Sequence, residues 1–308
     1  MTQHMEAETT TEPERLMPRY PVYVPSKGRH EKGLTAEWLD RDHVPYSLVV
    51  EPQEADAYRA AFGDSPFCTV LVLPFSNLGT VVPARNWIRR HSESLGFKRH
   101  WSFDDNIRGM IVRYGRRRFP CSGGLAMAAV EDFTELYSNI AVSGFDYEMF
   151  TFGDKGSKPF RTNVHVYSAT LFNNETEFEW RGRYNEDTDI CLQALSAGWC
   201  TLLVNQYCVR KVATMRLKGG NSDELYKGDG RTHMSRELER RWPGIVTTRR
   251  RYGRAQHHII GNWQKFTTPL ERDPNVPPLD PEKYRGRIKV TGDLESQQVR
   301  DMVERHAP

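Results

Sequence analysis

Asp104, Asp105 and Asn106 follow an apolar stretch, and their oxygens are the ligand type that hard divalent cations prefer. Two adjacent carboxylates at the end of an apolar strand repel each other and lose hydration, so an isolated pair is costly there. A bound Mg²⁺ or Mn²⁺ would relieve this repulsion and could bridge to the oxygens of a diphosphate. The alternative interpretation is a surface turn that caps a helix.

A second acidic segment, Asn185-Glu186-Asp187-Thr188-Asp189, lies about eighty residues further along and opens a stretch with helical spacing. Such a segment can cap a helix and complement the partial positive charge at its N-terminus. That structural role accounts for some of these residues and does not exclude a chemical role for one carboxylate.

Apolar runs with strand or helix periodicity predict the elements that position these residues. In the first half we predict strands at residues 20–25, 45–50, 69–73 and 101–103, and helices at 54–62 and 82–95. In the second half we predict helices at 124–137, 187–197 and 235–242, strands at 139–150, 163–171 and 200–204, and a glycine-rich loop at 214–231. This alternation is typical of an α/β fold with a mixed, mostly parallel central sheet.

Polar residues follow three of these strands: residues 26–29, Glu51 and residues 104–106. In open α/β sheets, ligands bind beyond the carboxyl ends of the parallel strands. The coincidence of polar groups at three strand ends therefore predicts a nucleotide site at this edge of the sheet.

The composition is that of an ordinary globular protein, with 308 residues, 38% apolar and 27% charged. We predict an N-terminal tail at 1–19, one main domain at 20–266, and a Pro-rich arm with a short helix at 267–308. The sequence contains no run of about 18 apolar residues, and residues 1–19 lack the apolar core of a signal peptide. We therefore expect a cytoplasmic protein without membrane contact.

The five cysteines are an odd number and include no C-x-x-C pair, so a disulfide framework or a structural zinc site is not expected.

Two arginine clusters stand out from a net charge of only +3. Each has a tyrosine beside it, Tyr114 in the first and Tyr252 in the second, and this mixture suits a phosphate backbone and an unstacked base. The alternative is two solvated loops that pair with acidic residues. The clusters are Arg113, Arg116, Arg117 and Arg118, and Arg249, Arg250, Arg251 and Arg254.

The order of the motifs resembles that of GT-A glycosyltransferases. Residues 82–86 (VPARN) lie on the helix before the acidic triplet, and the helix after Asp187 ends in Ala197-Gly198-Trp199. With the turn after the first strand and the triplet itself, the resemblance covers residues 20–204, roughly two thirds of the chain. It implies a Rossmann-like fold that takes sugar from a nucleotide-sugar donor, with Mn²⁺ or Mg²⁺ as the metal.

Three segments are more closely similar to the TET-associated glycosyltransferases of bacteriophages: YVPSKGR at 23–29, FDDN at 103–106 and RLKGGN at 216–221. This resemblance implies UDP-glucose or another UDP-sugar as co-substrate. It implies 5-hydroxymethylcytosine or a related hydroxymethylpyrimidine in DNA as acceptor, and the cytoplasm of a phage-infected bacterium as the location.

The resemblance also implies roles for individual residues. Asp187 corresponds to the catalytic base of inverting enzymes, with Glu186 as the competing choice. Asp105 and Asn106 would bind the metal, and the neutral amide of Asn106, in place of a third aspartate, weakens the pull on that metal. The donor would contact Pro25, Ser26, Arg29, Glu51, Arg85, Asp104 and Asp105.

Further candidates lie in the second half. Lys218, Gly219 and Gly220 could close over the diphosphate, because glycine lets backbone N–H groups approach phosphate. His233 is a candidate third metal ligand, with His257 and His258 available by composition. The aromatics Trp180 and Tyr184, like Tyr114 and Tyr252, are candidates to stack on a displaced base.

Three alternatives stay open at this point. The same fold could act on a glycan, lipid or protein acceptor, in which case the arginine clusters would be dispensable. A nucleotidyltransferase would normally carry a glycine-rich loop after the first strand, and residues 25–29 contain only one glycine. A DNA-binding module with a degenerate donor site would not depend on its carboxylates.

Overall fold

The computed structural model of the chain describes residues 17–76, 79–114, 117–151, 158–212, 230–251 and 253–279.

Four parallel strands form one half of the central sheet. They are β1 (Val22–Pro25), β2 (Tyr46–Val50), β3 (Cys68–Val72) and β4 (Arg99–Phe103), in the spatial order β3-β2-β1-β4. The helices between them are α1 (Leu34–Arg41), α2 (Ala55–Phe62) and α3 (Val82–Ser94). Pro83 lies in the first turn of α3, where the N–H that proline lacks has no intrahelical partner in any case.

Helices cover both faces of this half of the sheet. Val24 packs in the main core with Trp38 of α1, whereas its neighbour Tyr23 packs on the other face with Ile88 of α3. Successive residues of a strand point to opposite faces, so an unbroken apolar run is what such a doubly covered strand requires.

The other half of the sheet is mixed. Its strands follow β4 in the spatial order β9-β7-β10-β5-β6, with β8 paired to β10. The elements are β5 (Ile107–Tyr114), β6 (Arg117–Cys121), α4 (Gly123–Glu135), β7 (Ile140–Tyr147), β8 (Phe160–Thr162), β9 (Ala169–Asn173), α5 (Glu186–Ser196) and β10 (Cys200–Lys211). Beyond the sheet lie α6 (Gly230–Arg241) and a hairpin of β11 (Val246–Arg251) and β12 (Arg254–Ile259). Single 3-10 turns occupy Pro52–Glu54, Glu148–Phe150 and Trp263–Lys265.

The predicted α/β class with a mixed, mostly parallel sheet is confirmed. Only β5, β8 and β9 run against the other seven strands of the ten-stranded sheet in the described part of the chain. The aromatic rings of Trp101, Phe103 and Phe145 stack at its centre, with Trp101 and Phe145 centroids 5.2 Å apart. The indole N–H of Trp101 donates to Glu131 of α4 over 2.8 Å, which satisfies its polar group inside the core.

The single strand predicted at 163–171 is wrong. The chain forms β8 before it and β9 at its end, and the residues between are irregular. Asn163 and Ser168 adopt φ of +55° and +61°, a left-handed conformation that a strand cannot contain. The apolar alternation of this segment therefore reflects packing on both sides of a loop, and that loop brings His165 and Ser168 to the cavity region described below.

Other elements differ in extent or were not predicted. Helix α1 and the hairpins β5–β6 and β11–β12 were not predicted, and β10 continues seven residues beyond the predicted end at Val204. The extension of β10 has a functional consequence, because its last residue is Lys211.

Residues near both ends of the described chain pack on this domain. The Arg19 N–H donates to Glu131 over 2.8 Å, and the Asn139 side chain donates to the carbonyl of Pro269 over 2.8 Å. The division at residues 19 and 266 stays a prediction, and both flanking segments contact the domain between them.

Candidate active site

A cavity of about 340 Å³ opens beyond the carboxyl ends of β1, β2, β3 and β4. Its walls also include the start of α3, the start of α5 and the end of β10. This is the edge of the sheet at which polar strand ends predicted a nucleotide site. The cavity brings together eleven predicted site residues: Pro25, Ser26, Arg29, Glu51, Arg85, Asp104, Asp105, Asn106, Tyr184, Glu186 and Asp187.

The turn after β1 holds Asp105. Arg29 Nη1 donates to Asp105 Oδ1, and Ser26 Oγ donates to Asp105 Oδ2 over 2.8 Å. Gly28 adopts φ +62° in this turn, and its N–H donates to the Glu54 carboxylate at 3.0 Å. Burial raises the pKa of Asp105, and the Arg29 charge opposes that shift. The carboxylate is therefore fixed by contacts on both of its oxygens.

Two cations hold the neighbouring Asp104. Lys211 Nζ lies 2.5 Å from Asp104 Oδ2, and Arg85 Nη2 lies 3.2 Å from Asp104 Oδ1. Burial favours the neutral carboxyl, but the charges of Lys211 and Arg85 outweigh it and lower the pKa of Asp104. Asp104 is thus a compensated anion at neutral pH.

Lys211 is anchored by two further oxygens. Its Nζ donates to Ser168 Oγ over 2.8 Å and to the Tyr147 hydroxyl over 3.1 Å. Burial alone lowers the pKa of Lys211, and the Asp104 carboxylate reverses that shift, so the ammonium stays charged. A fixed positive charge therefore faces the cavity from the end of β10.

The opposite wall carries Glu186 and Asp187 at the start of α5. Arg85 Nη2 lies 3.9 Å from Glu186, so this guanidinium stands between the two acidic pairs. Burial and the adjacent Asp187 charge raise the pKa of Glu186 to about 7. The pKa of Asp187 moves the other way: burial would raise it, but contact with His165 and the charge of Arg85 lower it.

His165 stands behind Asp187. Its Nε2 lies 3.3 Å from Asp187 Oδ2 and 3.2 Å from the Thr188 hydroxyl, and its ring stacks on Trp263. The Thr188 N–H donates to Asp187 Oδ1 over 2.7 Å. These contacts stabilise an ionised Asp187, while Glu186 is the member of the pair that holds a proton more readily.

A family model, described as TET-Associated Glycosyltransferase, matches residues 20–220, about two thirds of the 308 residues. A match of this extent decides the family.

The chain belongs to the TET-associated glycosyltransferase family.

The protein is therefore a glycosyltransferase. A solved structure named as a nucleotide-diphospho-sugar transferase from Desulfovibrio desulfuricans G20 is similar at a TM-score of 0.33 and 11% identity. That match covers 61% of this chain and 80% of the other. No curated protein sequence matches the chain. None of the helices in the described part of this glycosyltransferase is long and apolar enough to cross a bilayer.

Glu51 of the glycosyltransferase, a predicted donor contact, follows the last residue of β2 and lines the cavity. It is buried, and Lys27 Nζ lies 3.2 Å from its Oε1. A buried carboxylate on the cavity wall is well placed to accept from a ribose hydroxyl or a base N–H.

Asn106 is the residue best suited to add an oxygen ligand. Its Oδ1 is buried and has no hydrogen-bond partner within the described ranges. No group of three or more His, Cys, Asp or Glu side chains in those ranges is arranged to hold a metal ion. His233 does not line the cavity and instead contacts the Tyr184 ring, with centroids 5.6 Å apart. The structure thus brings Asp105 and Asn106 together, but not His233.

Three predicted DNA-contacting residues of the glycosyltransferase are in fact buried: Trp180, Tyr184 and Arg113, of which Tyr184 lines the cavity. Trp180 packs against Phe172 in the core, with centroids 4.4 Å apart, so a displaced base has no access to its ring. Arg113 is also buried, and its guanidinium donates to the carbonyl of Asn205 over 3.2 Å. The structure thus corrects the stacking role of Trp180 and the exposed position expected for Arg113, because a single polar or aromatic residue carries no sequence signal for which side of a strand or loop it occupies.

The remaining arginines lie on exposed hairpins. Arg117 and Arg118 are exposed on β6, although Arg118 also contacts Glu148 at 3.9 Å. The β11–β12 hairpin presents exposed arginines at its tip: Arg249, Arg250, Arg251 and Arg254. Five predicted residues lie outside the described ranges: Arg116, Lys218, Gly219, Gly220 and Tyr252.

Four residues near the carboxylates were not predicted: Tyr147, His165, Ser168 and Lys211. Lys211 follows Arg210 beyond the predicted end of its strand, and His165 and Ser168 fall in the segment interpreted as a strand. None of the four stood out in the sequence, because the strand that carries Lys211 was predicted to end at Val204.

Proposed function

We propose that this glycosyltransferase transfers glucose from UDP-glucose to 5-hydroxymethylcytosine, or a related hydroxymethylpyrimidine, in DNA. We infer a divalent cation as cofactor and inversion at the anomeric carbon, with Asp187 as the base. The observation that carries the proposal is the meeting of two differently charged carboxylate pairs across one cavity at the carboxyl ends of the parallel strands.

The chemistry assigned to Asp187 follows from its surroundings. The hydroxymethyl oxygen of the acceptor attacks the anomeric carbon, and the bond from that carbon to the diphosphate oxygen breaks with its electron pair. The hydroxyl proton passes to the Asp187 carboxylate. A base must first be within reach and then be ionised, and contact with His165 favours the ionised form of Asp187.

Glu186 is the competing base. Its pKa of about 7 suits proton transfer at neutral pH, but it faces Arg85 rather than His165. The contact with His165 therefore favours Asp187 as the base. The pH dependence of transfer by Asp187→Asn and by Glu186→Gln separates the two alternatives.

Arg29, Arg85 and Lys211 concentrate positive charge around Asp104 and Asp105. Such preorganised charge suits the negative charge that develops on the leaving nucleoside diphosphate. Asp105 and Asn106 would hold Mn²⁺ or Mg²⁺, because the buried Asn106 Oδ1 is an available neutral oxygen and such ions need only one or two protein ligands beside phosphate oxygens. The bound cation would act as a Lewis acid on the diphosphate.

DNA as acceptor is supported by the exposed arginines on β6 and on the β11–β12 hairpin. Arginine side chains on projecting hairpins suit contacts with a phosphate backbone. The family name also points towards acceptors made by TET-type oxygenases.

The proposal is tested by transfer of radiolabelled glucose from UDP-glucose to a duplex that contains 5-hydroxymethylcytosine. The same duplex with unmodified cytosine is the matched control, and Mn²⁺, EDTA and Asp187→Asn are run in parallel. We expect label only in the modified duplex, and its loss with EDTA or the variant. Metal-dependent hydrolysis of UDP-glucose without labelled DNA would exclude the DNA acceptor, and would leave a glycan, lipid or protein acceptor.

A further inference from the structure

A second cavity of about 570 Å³ adjoins the first, and nothing in the proposed donor chemistry uses it. It lies between β10, the irregular segment that carries His165, and the 3-10 turn at Trp263. Cavities of this size accommodate a small organic group such as a nucleoside.

Aromatic rings line this second cavity. Phe150, Tyr167, His165 and Trp263 form a row in which neighbouring ring centroids lie 6.5, 5.0 and 5.7 Å apart. Phe150 is 57% exposed, which is unusual for a large apolar side chain beside a cavity. Exposed aromatic surface of this kind suits the face of an unstacked base.

A buried amide lines the same cavity. Asn205 is only 7% exposed, and its Oδ1 has no hydrogen-bond partner among the residues that the structure describes. A buried acceptor without a donor is destabilising, so a ligand that supplies an N–H would relieve that destabilisation. Cytosine offers its N4 amino group, and uracil offers its N3–H.

The wall between the two cavities is thin. His165 lines the second cavity, and its Nε2 lies 3.3 Å from Asp187 Oδ2, which lines the first. Tyr167 of the second cavity and Tyr147 of the first are also in contact, with ring centroids 4.6 Å apart. A ring in the second cavity that carries a short hydroxyl-bearing arm could therefore present its oxygen to Asp187.

We propose that the second cavity is the acceptor site and holds the pyrimidine base after it swings out of the DNA stack. The proposal rests on the function proposed above and names the place where its acceptor binds. Asn205 reads the hydrogen-bonding edge of the base, the aromatic row contacts its face, and its 5-hydroxymethyl group points to Asp187. Arg161, half exposed at the same cavity and paired with Asp146 at 2.7 Å, lies where a flanking phosphate would pass.

Photo-crosslinking locates the base without any need for turnover. A duplex with 5-iodouracil at the target position is irradiated with the full-length protein, and the crosslinked peptide is mapped by mass spectrometry. We expect the crosslink at Tyr167, His165 or Trp263. A crosslink at Tyr184 or on the β11–β12 hairpin would overturn the proposal.

Kinetics with Phe150→Ser supply the second test, because this side chain is exposed and its loss leaves the core intact. Leu95→Ser is the matched control, since Leu95 is 56% exposed at the end of α3 and lines neither cavity. We expect Phe150→Ser to raise the KM for DNA about tenfold, the size expected for one lost base–aromatic contact. Asn205→Ala should lower kcat/KM for DNA by a similar factor. Leu95→Ser should leave both the KM for DNA and the metal-dependent hydrolysis of UDP-glucose unchanged.

The two proposals fail in different ways. If the wild-type protein labels DNA and Phe150→Ser and Asn205→Ala behave like Leu95→Ser, the base lies elsewhere and the proposed function stands. If the wild-type protein hydrolyses UDP-glucose but labels no DNA, the proposed function fails and this acceptor site fails with it.

Discussion

Two pairs of adjacent carboxylates face one cavity in opposite electrostatic surroundings. Asp104 contacts Arg85 and Lys211, and Asp105 contacts Arg29 and Ser26, so each carboxylate of this pair has its own compensating group. Glu186 and Asp187 lie next to each other on the opposite wall with far less positive charge.

The difference separates a positioning role from a proton-transfer role. The carboxylates of Asp104 and Asp105 are held in position by the cations that they contact. Removal of either carboxylate takes an anion away from buried cations. The pKa values move apart in both pairs, but only Glu186 has a pKa raised to about 7, beside an ionised Asp187, and this is the arrangement that acid–base chemistry uses. The same residue types at the same spacing therefore serve different purposes, because their neighbours differ.

The largest effect on transfer is expected for Asp187→Asn, and Asp105→Asn is the variant to compare with it. Asp187→Asn should lower transfer about 10²–10⁴-fold, as expected for loss of a general base. It should also destabilise the protein at neutral pH, because the pKa of Asp187 is lower in the folded protein than in the unfolded chain. Asp105→Asn should destabilise the protein less than Asp187→Asn does, because burial raises the pKa of Asp105 and so already favours its neutral form in the folded protein. Transfer assays and urea unfolding measure the two quantities.

Asp56→Asn is the control for that stability measurement, because the side chain of Asp56 is fully exposed and its contact with Arg59 is a surface ion pair. It should leave both unfolding and transfer unchanged. Equal destabilisation by Asp105→Asn and Asp187→Asn would break the comparison between the two pairs.

Lys211→Met tests the role of the cation that contacts Asp104. The variant removes the charge that outweighs burial at Asp104, so the pKa of Asp104 should rise and its anion should be less favoured. We expect about 10²-fold lower transfer, comparable with loss of one electrostatic contact to a leaving group. Lys32→Met, at an exposed position outside the cavity, is the control. Full transfer by Lys211→Met would show that Arg85 alone compensates Asp104.

His165→Gln tests the contact between His165 and Asp187. Loss of the His165 contact removes the chief influence that offsets burial at Asp187, so the pKa of Asp187 should rise towards its usual range. The acid limb of the pH–rate profile should move to higher pH, whereas transfer at pH 7 should change little, because a carboxyl in its usual pKa range is still ionised there. An acid limb that stays in place would mean that Asp187 is not the group that must be ionised.

The parallel half of the sheet and the donor side of the cavity were predictable from sequence. Strands β1 and β2 are buried and largely apolar, and β4 ends in the buried residues Trp101, Ser102 and Phe103. The polar residues that follow these strands must lie together because parallel strands end at one edge. Ser26, Glu51 and Asp104 follow this rule, although they are far apart in the chain.

The rest depends on tertiary contacts that have no periodic signature. His165 approaches Asp187 only because the left-handed residues Asn163 and Ser168 interrupt a segment whose apolar alternation predicts a strand. Arg113 belongs to an arginine cluster in the sequence, yet strand β5 turns its side chain inward while Arg117 across the hairpin is exposed. A single functional residue in an irregular segment belongs to no periodic pattern, so sequence patterns predict its position least well.

The smallest effect is expected for Glu186→Gln, and its sign follows from the raised pKa. A carboxyl whose pKa rises from 4.5 in the unfolded chain to about 7 in the folded protein binds its proton more tightly when folded. The protein therefore loses stability as pH rises between these values. Glu186→Gln removes that loss, so at pH 8 its Tm should exceed that of the wild type by about 2–4 °C, and at pH 4 the two should agree. Transfer should fall less than tenfold. If Glu186→Gln instead abolishes transfer and Asp187→Asn does not, the proton acceptor is Glu186, and the low pKa of Asp187 serves only to keep its neighbour basic.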